Sequence, residues 1–503
     1  MKRKILLNLI YLPLFLCVLF LSDSMVYAAD TQTIQLNQEI SDSLTTNSDE
    51  NWYTFTLEES GVLSLEFFHE TINSESWSIT LYDKNSLPVF SSYNDKTKLV
   101  SPSYGLSEGS YSIKITCPYQ YSTYTKQTYH LKVSFTITDT WEQEGNNVSS
   151  DANAIKVNKL YSGNLYNNQD EDWFSFAPSK NGCFSFDFLH EAAEADSWSI
   201  TLYDSAMSPI KSFYSSAATD STSCYGISSG TYYVHVTCPY KYTTYTSQTY
   251  SIRVNFKVSA AYESESNNSF STADVIKTGK AYTGNLYVNS DIDYYKFTVS
   301  ANGSFSFQFL NAYEDRHAWK ITLYKKDKTP IFSYYNRNTA LTSTKIGLAK
   351  GTYYFSVCCP YQYTTYSDAS YQMKFTFKKS SYWESEGNGS LRTADTIKLT
   401  KRTSSVTGYI YGNSSSNTDK DYYTFMVSKK GQTTITFSHS VSENVTWKIL
   451  IYNKKGKKIT ELNNQTKSSS KTITLSPGTY YVKVVTSSST YSWTPYKVSI
   501  KTK

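Results

Sequence analysis

The chain has 503 residues, with 48 Lys and Arg against 43 Asp and Glu, and a formal net charge of +5 at pH 7. At the usual ~100–150 residues per domain, that length predicts about four domains, each long enough to bury its own core. A charge balance this close to neutral, without a basic cluster on any predicted groove, argues against nucleic acid as the partner.

The chain begins with Lys2, Arg3 and Lys4, the apolar run Ile5 to Leu21, and a small-residue site at Val26-Tyr27-Ala28. These are the three parts of a secretory signal peptide, so residues 1–29 are expected to be removed, leaving a charge of +3. Cys17 lies inside the apolar run with no small residue before it and is read as part of the discarded peptide. No later stretch approaches the ~20 apolar residues needed to span a bilayer. The last residues, Lys501-Thr502-Lys503, form no hydrophobic tail and no evident wall-sorting signal. The expected product is soluble, secreted or associated with the cell surface, and free of membrane spans; its oligomeric state is left open.

After the leader the chain repeats itself. Asp49, Asp170 and Asp291 stand 121 residues apart and Asp419 follows after 128, and Trp77, Trp198, Trp319 and Trp447 keep the same offsets. A period sustained over four copies marks a duplicated unit and gives the sequence an internal alignment. Three lead-in segments place the boundaries: Trp141-Glu142-Gln143-Glu144-Gly145-Asn146-Asn147, Tyr262-Glu263-Ser264-Glu265-Ser266-Asn267-Asn268 and Trp383-Glu384-Ser385-Glu386-Gly387-Asn388-Gly389. The predicted modules are therefore 30–139, 140–260, 261–380 and 381–503. The first has Thr31-Gln32-Thr33-Ile34-Gln35 in place of a lead-in, and the seven extra residues of the fourth are assigned to surface loops around Ser404-Ser405 and Ser414-Ser415-Ser416.

Within a module, Phe184-Ser185-Phe186-Asp187-Phe188, Trp198 to Tyr203 and Tyr250 to Phe256 alternate in period two with aromatic and β-branched residues, the pattern of half-buried antiparallel strands. Gly109-Ser110-Tyr111 recurs as Gly230-Thr231-Tyr232, Gly351-Thr352-Tyr353 and Gly478-Thr479-Tyr480, a turn glycine feeding a strand each time. No convincing amphipathic helix follows the leader. The fold class is all-β: four tandem antiparallel β-sandwich modules. Cys117 is the only cysteine in its module, so Cys117, Cys238 and Cys359 are read as small buried side chains. Cys183 and Cys224 share a module and can pair in an oxidising exterior, while adjacent Cys358 and Cys359 are poorly placed to bridge one another.

Taken in order, Glu-x-Glu-x-Asn, Ala273, Gly284-Asn285-Leu286, Asp291-Ile292-Asp293-Tyr294-Tyr295-Lys296-Phe297, Trp319 through Tyr324 and Gly351-Thr352-Tyr353-Tyr354 resemble the bacterial pre-peptidase C-terminal domain. That family includes the collagen-binding domains of clostridial collagenases. The resemblance covers essentially the whole mature chain, four times over. It implies a jelly-roll-like sandwich, usually an accessory to a secreted enzyme, although no enzyme accompanies it here.

Calcium takes six to eight oxygen ligands, which a cluster of carboxylates with an amide carbonyl supplies if each lead-in folds back onto the Asp-x-Asp turn. The candidates are Glu142, Glu144, Asn146, Asn147, Asp170 and Asp172 in the second module; Glu263, Glu265, Asn267, Asn268, Asp291 and Asp293 in the third; and Glu384, Glu386, Asn388, Asp419 and Asp421 in the fourth. The resemblance implies the same role, since the matching acids of the collagen-binding relatives ligate calcium; that family often carries Asp where this chain has Asn147, Asn268 and Gly389. The competing reading makes the glutamates a solvated linker and the aspartates turn supports. The first module lacks the lead-in acids and has Asn51 at the second aspartate position, so no calcium is expected there.

The 47 tyrosines concentrate after the glycine-tyrosine strand. Tyr119 and Tyr121, Tyr240 and Tyr242, and Tyr361 and Tyr363 recur as Tyr-x-Tyr behind a Cys-Pro pair, and the fourth module has Tyr491 and Trp493 instead. Residues two apart on a strand share a face, so each pair is a candidate binding surface for a flat polymer. The collagen-binding relatives carry ligand-contacting tyrosines in this region, a pattern that Tyr361 and Tyr363 approach. Packing of these rings across a sheet edge is the alternative. His69-Glu70 and His190-Glu191 lack the second histidine of a zinc-protease helix, and no Gly-x-Ser-x-Gly elbow occurs. The expectation is a secreted, non-catalytic, multivalent protein that attaches to an extracellular protein or polysaccharide polymer, with calcium in modules two to four. The alternative is a structural or accessory protein of the cell surface or of a separately encoded secreted enzyme.

Overall fold

A computed structural model describes residues 31–503 apart from 47, 70–76, 95, 118–127, 191–197, 216, 241, 243–245, 313–318, 361–368, 400–402, 411, 414–416, 440–445, 465–466 and 487–494. The leader, residues 1–29, and Tyr119, Tyr121, Tyr361, Tyr363, Tyr491 and Trp493 thus lie outside the described residues. The chain divides into two compact units, Met1–Asp139 and Thr140–Lys503.

In the first unit, one sheet runs across Thr31–Thr33, Glu50–Leu57, Gly109–Thr116, Trp77–Tyr82 and Pro88–Asn94. The other runs across Glu39–Ser43, Thr128–Ile137, Gly61–His69 and Lys98–Val100, with Tyr104–Leu106 also on Gly61–His69. The second unit repeats this strand order in three successive sheet pairs, so the paired sheets follow the β-sandwich plan expected from the period-two patterning, with a small two-stranded sheet of Gly412–Asn413 and Asn417–Thr418 outside them. One departure from antiparallel pairing recurs: the first short strand of each pair runs parallel to its neighbour, as where Thr31 faces Trp52. In the fourth pair a single strand, Ser468–Leu475, replaces the two short strands of the others. Ser404 and Ser405, assigned above to a loop, instead begin the strand Ser404–Gly408 paired with Tyr496 to Ile500. Ile397 keeps its 121-residue distance from Ile276 whereas Gly408 lies 124 after Gly284, so the added residues of this region fall before Ser404.

Alternation builds each core. Gly61–His69 buries every second side chain, and Phe67, Trp77 and Tyr129 meet with centroids 5.4, 5.3 and 5.2 Å apart. Phe188, Trp198 and Tyr250, and Phe309, Trp319 and Tyr371, form the same trio further along. Losing one such buried ring costs about 3–5 kcal/mol. The repeated Gly-x-Tyr has its own cause. Gly109, Gly230 and Gly478 hold φ values of 151°, 154° and 154°, unfavourable for a side chain, and the tyrosine two residues on turns back. Tyr111, Tyr232, Tyr353 and Tyr480 donate to the carbonyls of Ser107, Ser228, Ala349 and Ser476, pinning the corner. Cys183 and Cys224 are joined in a disulfide, while Cys117, Cys238 and Cys359 are buried and belong to none.

Candidate metal centres and the exposed tyrosines

The three lead-in segments fold back onto their own sheet pairs. Glu142 N donates to Ser162 O at 2.8 Å, Glu263 N to Thr283 O at 2.9 Å and Glu384 N to Thr407 O at 3.0 Å, and each segment forms an isolated parallel bridge there. The fold-back brings the glutamates over the Asp-x-Asp turn, and Glu142, Asn146, Asp170 and Asp172 are all buried, as are Glu263, Asn267, Asp291 and Asp293.

Within each cluster the residues divide into two roles. The first glutamate and the second aspartate are anchored by tyrosines. In the third pair Tyr295 donates to Glu263 Oε2 at 2.8 Å, Tyr371 donates to Asp293 Oδ2 at 2.5 Å, and the two phenols bond each other at 2.5 Å. In the fourth, Tyr423 donates to Glu384 Oε2 at 2.5 Å and Tyr496 to Asp421 Oδ2. In the second, Tyr250 donates to Asp172 Oδ2 at 2.7 Å, with Phe174 in place of the other tyrosine.

The remaining oxygens converge. Glu144 Oε1 and Oε2, Asn146 Oδ1 and Asp172 Oδ1 are buried and receive no donor from the described residues. The same holds for Glu265 Oε1, Asn267 Oδ1 and Asp293 Oδ1, and for Glu386 Oε1 and Oε2, Asn388 Oδ1 and Asp421 Oδ1. The asparagine orientation follows from its amide nitrogen, which faces Glu263 Oε2 at 3.4 Å in one site and Glu384 Oε2 at 3.2 Å in another. One oxygen each from Glu263, Glu265 and Asp293 lies within 4.8 Å of the others, and likewise from Glu386, Asp419 and Asp421. Buried acceptors left without donors cost about 1–3 kcal/mol apiece, more when charged, so each cluster favours a proton or a cation among its oxygens.

The electrostatics agree. Burial, then the neighbouring carboxylates, pushes Glu142, Glu144 and Asp172 well above the usual carboxylate range. Asp170 is pushed up to about 8 by burial and by Asp172. Burial also pushes Glu263 and Glu384 up to about 8, and burial with the neighbouring carboxylates raises Glu265, Asp293, Glu386 and Asp421 well above the usual carboxylate range. Carboxylates packed this way are either protonated or neutralised by a cation.

Not every predicted ligand shares this pattern. Asp170 and Asp291 each accept a backbone N–H from the turn, from Tyr166 at 2.8 Å and Tyr287 at 2.7 Å. Asp49 does the same in the first unit, taking the Thr45 and Thr46 amides at 2.8 Å, and the Thr45 and Thr46 hydroxyls, joined by those amides, hold its carboxyl well below the usual range. The turn role therefore accounts for the aspartate kept in the first unit as well. Asn147 and Asn268 are exposed at the rim, where Asn147 Oδ1 accepts from Glu171 N at 3.1 Å. In the first unit Asn51 donates to Tyr129 Oη at 2.7 Å and Asp42 takes the Tyr53 phenol at 2.8 Å. Asp42 stands 121 residues before Gly163, so its carboxylate takes over the tyrosine contact that a lead-in glutamate makes in the third and fourth pairs.

Of the predicted tyrosines, Tyr240 and Tyr242 are described, and they are 57% and 80% exposed. A second set was missed by the sequence reading. Tyr93, Tyr214 and Tyr335 occupy equivalent positions on the edge strands Pro88–Asn94, Pro209–Ser215 and Pro330–Asn336 and are 59%, 63% and 57% exposed. Their 121-residue spacing was the available signal. Ser215 Oγ contacts both His190 Nε2, at 2.9 Å, and Asp220, so the serine stands between histidine and aspartate, the wrong order for a nucleophilic triad.

Residues 429–498 match the secretion system C-terminal sorting domain model. This places the protein outside the cytoplasm, secreted or associated with the cell surface. The match falls on strands of the fourth pair, upstream of the last residues, where the sequence reading had found neither a hydrophobic tail nor an evident wall-sorting signal. No curated protein matches the chain. Among solved structures, the chain is similar to the pre-peptidase C-terminal domain of a collagenase from Bacillus anthracis, with 16% identity and TM-score 0.19 over 22% of this chain and 98% of that one. It is also similar to the CUB1-EGF-CUB2 domains of human MASP-1/3, at 11% identity and TM-score 0.16 over 43% of this chain and 98% of that one, and to those of rat MASP-1, at 10% and 0.15 over 44% and 100%. Among the described residues no helix is long and apolar enough to cross a membrane.

Proposed function

We propose that this is a non-catalytic, multivalent binding protein. Its four tandem sandwich modules, of the pre-peptidase C-terminal type, attach to an extracellular polymer, either a collagen-like protein or a polysaccharide. The observation that carries the reading is the repeated exposure of tyrosine: Tyr93, Tyr214 and Tyr335 at one position, with Tyr240 and Tyr242 at another. An exposed phenol offers a large apolar face and a polar tip at low entropic cost, and its recurrence along one chain fits many weak contacts to a repeating ligand. Linked weak sites raise avidity by ~10²–10⁴ over a single site.

Calcium is the cation proposed for the second, third and fourth clusters. All candidate donors are carboxylate or amide oxygens, which suits a hard cation of high coordination number. Glu144, Asn146 and Asp172, Glu265, Asn267 and Asp293, and Glu386, Asn388 and Asp421 would hold it, and its charge would stabilise the lead-in segments against their sheets. The first unit has neither the lead-in acids nor the second aspartate and is proposed to bind none.

The test is retention of the mature chain, residues 30–503, on fibrillar collagen and on insoluble polysaccharides. Selective retention that falls when Tyr214, Tyr240 and Tyr242 are changed together to alanine supports the reading. Passage through every matrix unretained contradicts it and favours the structural or accessory alternative, for which the sorting-domain match at residues 429–498 is the supporting observation.

A further inference from the structure

Within the second unit, consecutive sheet pairs meet through one repeated arrangement. Strand Tyr225–Ile227 carries Gly226, where a Cβ would come within 2.3 Å of Glu263 O; in strand Ile346–Leu348, a Cβ on Gly347 would come within 2.0 Å of Glu384 O. The glycine is required because the backbone of the next lead-in segment lies directly against it. In the fourth pair Thr474 stands at this position. Ile227 and Glu265 form a parallel bridge across the first joint, and Glu386 N donates to Gly347 O at 3.1 Å across the second. Asn181 Nδ2 donates to Ser264 Oγ at 2.8 Å and Asn302 Nδ2 to Ser385 Oγ at 3.4 Å, again in equivalent places. At the first joint Tyr287 also enters the buried core of the second pair, 5.0 Å from Tyr225 between centroids, and donates to Gly226 O. Lys211 Nζ donates to Tyr287 O at 2.9 Å.

The first joint also carries a covalent bond that the second lacks. Cys183, opposite Gly226 in strand register, is bonded to Cys224, the residue immediately before Tyr225. At the second joint Ser304 lies opposite Gly347, and Lys345 precedes Ile346. A three-residue edge strand is weak alone and is among the first elements to open locally. A bridge immediately before its first residue removes the open states in which it leaves the long strand Gly182–His190 behind it.

We propose that the Cys183–Cys224 disulfide locks the joint between the second and third sheet pairs by fixing the strand that receives the next lead-in segment. The joint between the third and fourth pairs, with the same glycine and no bridge, opens first. A bond of this kind persists outside the cytoplasm, where the protein resides.

Hydrogen exchange of the mature chain, read by mass spectrometry on peptides covering 262–268 and 383–389, tests this. Changing Cys183 and Cys224 together to serine should accelerate exchange of 262–268 about tenfold and leave 383–389 unchanged. Placing cysteines at Ser304 and Lys345, with the new bond verified by mass, should slow 383–389 about tenfold; this variant decides the matter if the serine pair does not fold. Unchanged exchange of 262–268 in a folded serine pair, equal acceleration of both segments, or no slowing in the bridged Ser304→Cys, Lys345→Cys variant would overturn the proposal.

Discussion

Tyr371 donates its phenol hydrogen to Asp293 Oδ2 at 2.5 Å, while Asp293 Oδ1, equally buried, receives no donor from the described residues. One carboxylate is thus half satisfied by the core and half turned toward Glu265 and Glu263. Tyr371→Phe should keep the ring packing against Trp319 and Phe309 but release Asp293. We predict a stability loss of about 1–2 kcal/mol and a roughly tenfold weaker third calcium site, with the other two unchanged. Unaltered calcium affinity at all sites would show that the phenol does not orient the aspartate.

The buried carboxylates also set a pH dependence. Asp170, Glu263 and Glu384 bind protons up to about pH 8 in the folded chain, against about 4 for the same groups unfolded. The folded state therefore holds more protons than the unfolded state between about pH 4 and 8. The stability these groups contribute is complete below that window and is lost as pH rises through it. In chelator, the second unit should melt at a lower temperature at pH 8 than at pH 5, and calcium should remove most of that difference by replacing the protons. A melting temperature independent of pH in chelator would contradict the clustering.

Gly284 is confined by the same network, since a Cβ there would lie 2.5 Å from Tyr371 Oη and 2.6 Å from both Glu263 Oε2 and Tyr295 Oη. Gly284→Ala should cost about 1–3 kcal/mol by overpacking and weaken calcium binding at that site, measured by denaturant unfolding and titration. The first unit shows what a side chain at this position requires: Asp42 is accommodated there, in a sheet pair without a lead-in glutamate.

Tyr214 and Tyr335 make a contrasting prediction. They are exposed on edge strands, so alanine at both should change stability by less than about 1 kcal/mol. Retention on the polymer that the wild-type chain binds should nevertheless fall severalfold. Unchanged retention would assign these rings to the sheet surface alone.

The repeat, the strands and the sandwich class were legible because the 121-residue period aligned the chain with itself and aromatic residues alternated along it. The tyrosines were not separable by that route, since duplication preserves core and surface alike. Tyr250 and Tyr371 are buried network residues, Tyr232 and Tyr353 pin corners, and Tyr214 and Tyr335 face outward, yet all recur at one interval. Asp49 is ambiguous in the same way, since it recurs at the interval of Asp170 and Asp291 while serving a turn. The pairing of Cys183 with Cys224 depended on two strands meeting, which spacing along the chain does not determine.

Calorimetric titration of the chelator-treated mature chain with calcium near neutral pH tests the central claim most directly. The account predicts three sites, with Asp172→Asn, Asp293→Asn and Asp421→Asn each removing one and leaving the other two. Absence of binding heat, together with a melting temperature unmoved by millimolar calcium, would contradict it.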